Sequence, residues 1–112
     1  MKNEILNLIE NIKTDYYQWT LRCADGELSE INKTMIANFE EGVRFEEGRK
    51  YIKVLTDTSV WGFIVKVEDD KKFNKGDILM PAGYNAPARN KARGNVFDLE
   101  NYATRWTGAN YL

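Results

Sequence analysis

The run Val60-Trp61-Gly62-Phe63-Ile64-Val65-Lys66-Val67 decides the fold. Its β-branched and aromatic residues alternate with period two, which predicts a strand with Trp61, Phe63, Val65 and Val67 on one face and Val60, Gly62, Ile64 and Lys66 on the other. Working backwards, Tyr51-Ile52-Lys53-Val54-Leu55 and Val43-Arg44-Phe45 are further β-rich runs, separated by Asp57-Thr58-Ser59 and by Glu47-Gly48. Short runs divided by turn residues predict an antiparallel meander. Working forwards, Lys75-Gly76-Asp77 is a turn signal leading into a short strand, Ile78-Leu79-Met80. Pro81, which has no N–H to give a ladder, is expected to end that strand. From Pro81 to Asn95 the chain reads as a loop, and Val96-Phe97 and Arg105 to Leu112 read as edge strands closing the sheet.

Ahead of the strands the period changes. Met1, Ile5, Leu8, Ile9 and Ile12 recur at intervals of three and four, the spacing of one helix face. That stripe can be continued through Tyr16 and Trp19, but the β-favouring run Tyr16 to Leu21 fits a strand as well; Asp25-Gly26 ends either element. Leu28, Ile31, Met35, Ile36 and Phe39 mark a second helix, with Ser29 as its N-cap and Gly42 at its end. The expectation is an α+β fold in one domain, residues 1–112: a helical lead-in over 1–42 packed on a small, curved, mostly antiparallel sheet over 43–112, with a basic loop at 81–95.

The chain has 112 residues, 43% hydrophobic and 29% charged, with 16 cations and 17 acids and a formal net charge of −1. No apolar run approaches the ~20 residues needed to span a bilayer, and no signal-peptide stretch opens the chain, so a cytosolic protein without membrane contact is expected. Cys23 is the only cysteine, which excludes an internal disulfide. Asn32-Lys33-Thr34 matches a glycosylation acceptor, a match without meaning in the cytosol. The chain has no histidine, which excludes Ser-His-Asp and Cys-His hydrolases and zinc sites built on His or Cys clusters. The paired acids Glu40-Glu41, Glu46-Glu47 and Asp69-Asp70 point apart in regular structure and suggest no catalysis. A non-enzyme without a cofactor is expected.

Charge is distributed unevenly. Residues 71–97 hold Lys71, Lys72, Lys75, Arg89, Lys91 and Arg93 against Asp77 alone, a local charge of +5 that leaves −6 on the rest. At the centre of this region, Pro81 to Asn95 combines two prolines, two glycines, three cations, three asparagines and Tyr84, with no acid. Such a loop suits a phosphate-bearing ligand: cations neutralise it, glycines let backbone N–H groups approach, and amides read its edges. Arg89, Lys91 and Arg93 are the candidate grip, with Asn85, Asn90 and Asn95 beside them and Tyr84, Trp61 or Trp106 as stacking faces. A solvated surface loop, with the aromatics in the core, accounts for the same residues. Replacing Arg89 and Arg93 by Ala is then expected to abolish binding and to change stability by less than about 1 kcal/mol, since exposed cations contribute little to folding. In Lys50-Tyr51-Ile52-Lys53, alternation puts Tyr51 and Lys53 on one face, a further cation and aromatic at the base of the loop.

The motifs Gly48-Arg49-Lys50-Tyr51-Ile52-Lys53-Val54, Ser59-Val60-Trp61-Gly62-Phe63-Ile64, Lys75-Gly76-Asp77-Ile78-Leu79, Ala86-Pro87-Ala88-Arg89-Asn90-Lys91-Ala92-Arg93-Gly94-Asn95-Val96-Phe97 and Gly108-Ala109-Asn110-Tyr111-Leu112 follow one another in this order. Over residues 43–112 the chain resembles a widespread, uncharacterised family of small tailed-bacteriophage proteins, with Tyr84 standing where that family has tryptophan; residues 1–42 match only as a variable helical lead-in. The resemblance implies a phage origin and the cytoplasm of an infected bacterium, and it implies no activity. Small phage accessory proteins without catalytic residues commonly neutralise something of the host, which leaves three expectations. The first is a non-catalytic binder of a nucleotide-like small molecule, such as a nucleotide-derived defence signal. The second is a nucleic-acid-binding module on the same surface, against which the net charge of −1 speaks. The third is an inhibitor of a host protein acting through the helical half, where Met1 to Glu30 carries −3 and which could equally form a homo-oligomer.

Overall fold

Ile5, Leu8, Ile9, Ile12 and Tyr16 form one buried stripe on helix α1 (Lys2–Cys23) in the computed structural model, which describes residues 1–109. The segment Tyr16 to Leu21, open to two readings, is helical. Its stripe continues that of the first four turns, and tertiary packing of this face outweighs β-propensity. Tyr16 stacks on Phe39 at 4.0 Å, Trp106 meets the Tyr16 ring edge-on at 5.0 Å, and the buried Thr20 donates its hydroxyl to the Tyr16 carbonyl at 2.9 Å. Asp25 (φ 53°) and Gly26 (φ 84°) then take two successive left-handed conformations, and the Gly26 N–H closes the helix end on the Leu21 carbonyl at 2.9 Å.

Helix α2 (Glu30–Gly42) starts at Ser29, whose hydroxyl oxygen accepts the Asn32 N–H at 3.2 Å. Ile36 is its one buried residue, and Phe39 is half-buried; Ile31 and Met35 are 73% and 44% exposed. Gly42 ends the helix through close approach: a Cβ there would lie 2.9 Å from the Asp57 backbone nitrogen. The chain passes directly into the sheet.

Five strands pair antiparallel in the order β1 (Val43–Glu47), β2 (Tyr51–Thr56), β3 (Ser59–Val65), β4 (Asp77–Leu79), β7 (Gly94–Asn95), and β5 (Pro81–Gly83) with β6 (Ala86–Pro87) makes a separate two-stranded ribbon. The fold is α+β. Ile52, Val54, Ile64 and Ile78 pack on the α1 stripe, while Phe63, Val65 and Leu79 on the outer face pack with Phe73.

Strict alternation fails at one point in β3. Val54 opposes Gly62 but Leu55 opposes Val60, so Trp61 is the extra residue of a β-bulge. The bulge turns Trp61 inward, into the cluster containing Ile64, and Val60 outward, beside Phe63. Gly62 is needed where the chains close up, since a Cβ there would lie 2.9 Å from the Leu79 carbonyl.

The stretch expected as a loop is more ordered than that. Pro81 opens the β5–β6 ribbon opposite Pro87, two residues after β4 ends, because a ribbon this short has room for residues that donate nothing. The Ala88 and Arg93 N–H groups anchor the following segment to the Met80 and Ile78 carbonyls at 2.7 and 2.8 Å. The edge strand is Gly94–Asn95, and Val96-Phe97 instead begins a 3₁₀ segment (Val96–Asn101), because the Asn95 side chain accepts the Phe97 N–H at 2.8 Å and caps it. Residues 105–109 form turns and no strand; Asn110, Tyr111 and Leu112 lie outside the described residues.

Candidate functional site

Two of the three cations of the basic stretch, Arg89 and Arg93, are engaged within the fold. Arg89 holds Asp70 with both arms, Nη2 to Oδ1 at 2.9 Å and Nη1 to Oδ2 at 3.0 Å. It also donates to the Tyr51 hydroxyl and lies 4.9 Å from the centre of the Phe73 ring. Asp70, with a side chain only 7% exposed, accepts the Lys72 and Phe73 N–H groups at 2.8 and 2.9 Å as well. The Arg89 hydrogen bonds, followed by those two amides, hold the Asp70 carboxyl well below the usual carboxylate range, and Asp70 in turn holds the Arg89 guanidinium above its ordinary value. Lys72 closes the knot by donating to the Arg89 carbonyl. Arg89, expected as a ligand grip, is thus placed in a bidentate pair with a nearly buried carboxylate, which fastens the loop to the outer face of the sheet.

Its neighbours behave alike. Arg93 donates to Asn90 Oδ1 at 2.8 Å and to the Lys91 carbonyl, and Asn90 Oδ1 also accepts the Lys91 N–H at 2.8 Å. Asn95, besides its capping role, donates to the Lys75 carbonyl at 3.0 Å and to Asp77 Oδ1 at 2.9 Å. Trp61 is 1% exposed and donates Nε1–H to the Arg105 carbonyl at 2.7 Å, so it is a core anchor and offers no stacking face. Trp106 belongs to the ring cluster of Tyr16, Trp19 and Phe39 on the helix side of the sheet, away from the basic segment. Lys91 is exposed.

Tyr84 and Asn85, at the tip of the β5–β6 ribbon, do meet other candidate groups. Lys53 projects from the outer face of β2, placing Nζ 4.1 Å from the centre of the Tyr84 ring and 2.8 Å from Asn85 Oδ1. This contact borders an open groove of about 560 Å³ lined by Glu46, Arg49, Lys50, Tyr51, Lys53, Phe63 and Asn85, among others. Tyr51 and Phe63 are its aromatic members, edge-on at 6.1 Å. The rim carries three cations, Arg49, Lys50 and Lys53, against Glu46 and Glu47. Glu47 lies 3.4 Å from Lys66, which leaves a positive rim over an apolar floor. Lys53 is fixed in direction by the ring and the amide, and an ammonium has three donors, so it keeps capacity for a further acceptor.

Alternation in β2 places Tyr51 and Lys53 together, as read from the sequence. Phe63 joins them because it stands directly opposite Lys53 across the β2–β3 pair. The sequence did not carry that signal: the register set by the Asp57-Thr58 turn, with Thr56 opposite Ser59, would place Gly62 opposite Lys53, and the Trp61 bulge shifts Phe63 into that position. Arg49 and Lys50 belong to the site through the β1–β2 turn, where the Gly48 N–H donates to the Tyr51 carbonyl at 2.9 Å. Among the described residues no group of three His, Cys, Asp or Glu side chains is placed to hold a metal ion, and no helix is long and apolar enough to cross a membrane. Comparison of the chain with protein-family models, with curated proteins and with solved structures gave no match.

Proposed function

We propose that the protein is a non-catalytic binder of a small phosphate-bearing molecule with a planar ring, held in the groove between the β1–β2 turn and the β5–β6 ribbon. The observation that carries this reading is the pairing of an aromatic floor, the half-buried Tyr51 over the buried Phe63, with a cationic rim whose Lys53 is held in direction by Tyr84 and Asn85. A ring rests on the floor while the phosphate meets Lys53, Lys50 and Arg49; such a division between apolar contact and a few polar anchors is general to small-molecule sites. The resemblance to phage proteins supports a nucleotide-derived signal of the bacterial host as the ligand, and sequestration as the role.

Adenosine monophosphate, adenosine and inorganic phosphate are the probes, followed by amide chemical-shift titration. Saturable shifts at Tyr51, Lys53, Phe63 and Asn85 with the monophosphate are expected, with adenosine at least tenfold weaker and Lys53→Gln weakening the monophosphate by a similar factor. Equal affinity for adenosine and its monophosphate, or shifts confined to residues 89–93, overturns the reading. A single-stranded oligonucleotide separates the polymer alternative, because its affinity would fall steeply between about 50 and 200 mM salt.

A further inference from the structure

A second cavity, of about 500 Å³, lies at the same end of the sheet but on its helix side, under the first turn of α1. Its apolar surface is that of the half-buried Met1 and Phe45, over the buried Ile5 and Ile52, and Lys2, Lys66, Lys75 and Glu47 are its charged side chains. Its phase follows from the sheet: Lys66 continues the face of Ile64, and Ile52 and Ile64 are cross-strand partners on that face. Three lysines therefore share one apolar cavity with a single carboxylate. Folding does not require this grouping, because like charges repel and each ammonium could instead point to open solvent.

Their partners within the chain hold them loosely. Lys66 Nζ is 3.4 Å from Glu47 and 3.1 Å from the Gly48 carbonyl, and Lys75 Nζ is 3.7 Å from Glu68, a carboxylate 82% exposed. Tight ammonium–carboxylate contacts run at about 2.7–2.9 Å, so these lysines can turn to a better placed anion without dismantling a buried pair. Meanwhile Phe45 is only half-buried on the cavity wall, an apolar surface that the fold leaves partly uncovered.

We infer that this cavity is a binding site for a single-tailed amphiphilic anion, its head met by Lys2, Lys66 and Lys75 and its hydrocarbon tail laid against Met1 and Phe45, above the buried Ile5 and Ile52. The site adjoins the outer groove at Glu47, which borders both, and shares no other lining residue with it. A volume near 500 Å³ is within the ~300–1,000 Å³ range of small-molecule pockets, and apolar walls with a few convergent charges are their usual composition. The cation excess selects an anionic head, and among the described residues Phe45 is the one aromatic of the lining, which favours an aliphatic tail over a stacked ring.

Decanoate and decanol, which share a tail and differ in the charge of the head, test the inference by amide chemical-shift titration of the whole chain. Decanoate should give saturable shifts at Ile5, Phe45 and Ile52, with decanol at least tenfold weaker. Lys66→Gln and Lys75→Gln, singly and together, should weaken decanoate, the pair at least tenfold, whereas Lys91→Gln, a loss of one charge on the exposed segment to compare with either single variant, should stay within twofold. Lys2→Gln repeats the measurement at an exposed lysine, so a folding defect in the double variant leaves the question answerable. Absence of saturable shifts at these residues, equal affinity for decanol, or an equal loss in Lys91→Gln overturns the inference. The adenosine monophosphate titration of the outer groove is read on the parent chain and on Lys75→Gln, because Lys66→Gln releases Glu47, which borders both cavities.

Discussion

Replacing Trp61 with Phe distinguishes a core anchor from a ligand-stacking residue. The indole is 1% exposed at the β3 bulge and its Nε1–H donates to the Arg105 carbonyl at 2.7 Å. Phe removes that hydrogen bond, a net loss of about 1 kcal/mol for a bond whose acceptor, on an exposed residue, regains water. It also removes about three buried ring atoms, which at ~0.8 kcal/mol for each methylene equivalent amounts to about 2 kcal/mol. The sum is about 3 kcal/mol, and at ~4 °C per kcal/mol for a domain of this size the melting temperature should fall by about 12 °C. Urea unfolding followed by far-ultraviolet circular dichroism gives the free energy, and the fluorescence of Trp19 and Trp106 provides a second probe to check that both report one transition. Affinity for adenosine monophosphate, measured well below the variant's melting temperature, should change less than twofold. A loss of stability below 1 kcal/mol accompanied by a tenfold loss of affinity would refute the assignment and return Trp61 to the ligand.

Three further outcomes are expected. Because the folded-state pKa of Asp70 is depressed, its ion pair with Arg89 stabilises the protein above the unfolded carboxylate value of ~3.9 and that contribution is lost as pH falls below it; Asp70→Asn should melt lower than the parent at neutral pH, and the two should converge in acid, as thermal melts across pH will report. Gly94→Ala would bring a Cβ within 2.4 Å of the Tyr102 ring, a contact the buried ring has little room to relieve, so a loss of ~1–3 kcal/mol is expected in urea unfolding. Ser29→Ala removes the acceptor for the Asn32 N–H and should cost about 1 kcal/mol, restored by Ser29→Asp, which keeps an oxygen at the cap.

Elements whose cause is local were legible before any coordinates. Ser29 capping α2, the three strands of the meander and the common face of Tyr51 and Lys53 each follow from a spacing within a few residues. Trp61 was assigned to the wrong face because a bulge is a relation between two strands: the extra residue exists only once Leu55 is set opposite Val60 and Val54 opposite Gly62. Ile31 and Met35 share the stripe of Ile36 and Phe39 in sequence, but α2 crosses the rest of the molecule so that Ile36 alone is buried. The pairing of Arg89 was hidden for a related reason. Its partner Asp70 stands 19 residues away beyond β4, and within the sequence an arginine awaiting a phosphate and one already bound to a carboxylate are the same letter.

This tertiary pairing also explains why so basic a segment can be structural. Between the Ala88 and Arg93 backbone anchors there is no strand ladder, so the chain there is held by side chains: Arg89 on Asp70 and Tyr51, Arg93 and the Lys91 N–H on Asn90. Each of these bonds shortens the list of cations free to meet a ligand. Together they also tie down the chain that follows β6, and with it the ribbon whose tip bears Tyr84 and Asn85. Tyr51 links the two roles most directly, since its hydroxyl meets Arg89 while its ring faces Phe63 in the groove. The positive charge read from the loop is therefore in part structural: Arg89 fastens the ribbon that directs Lys53, and the cations bordering the proposed groove are those of the β1–β2 turn and β2, a region whose overall charge gave no reason to look there.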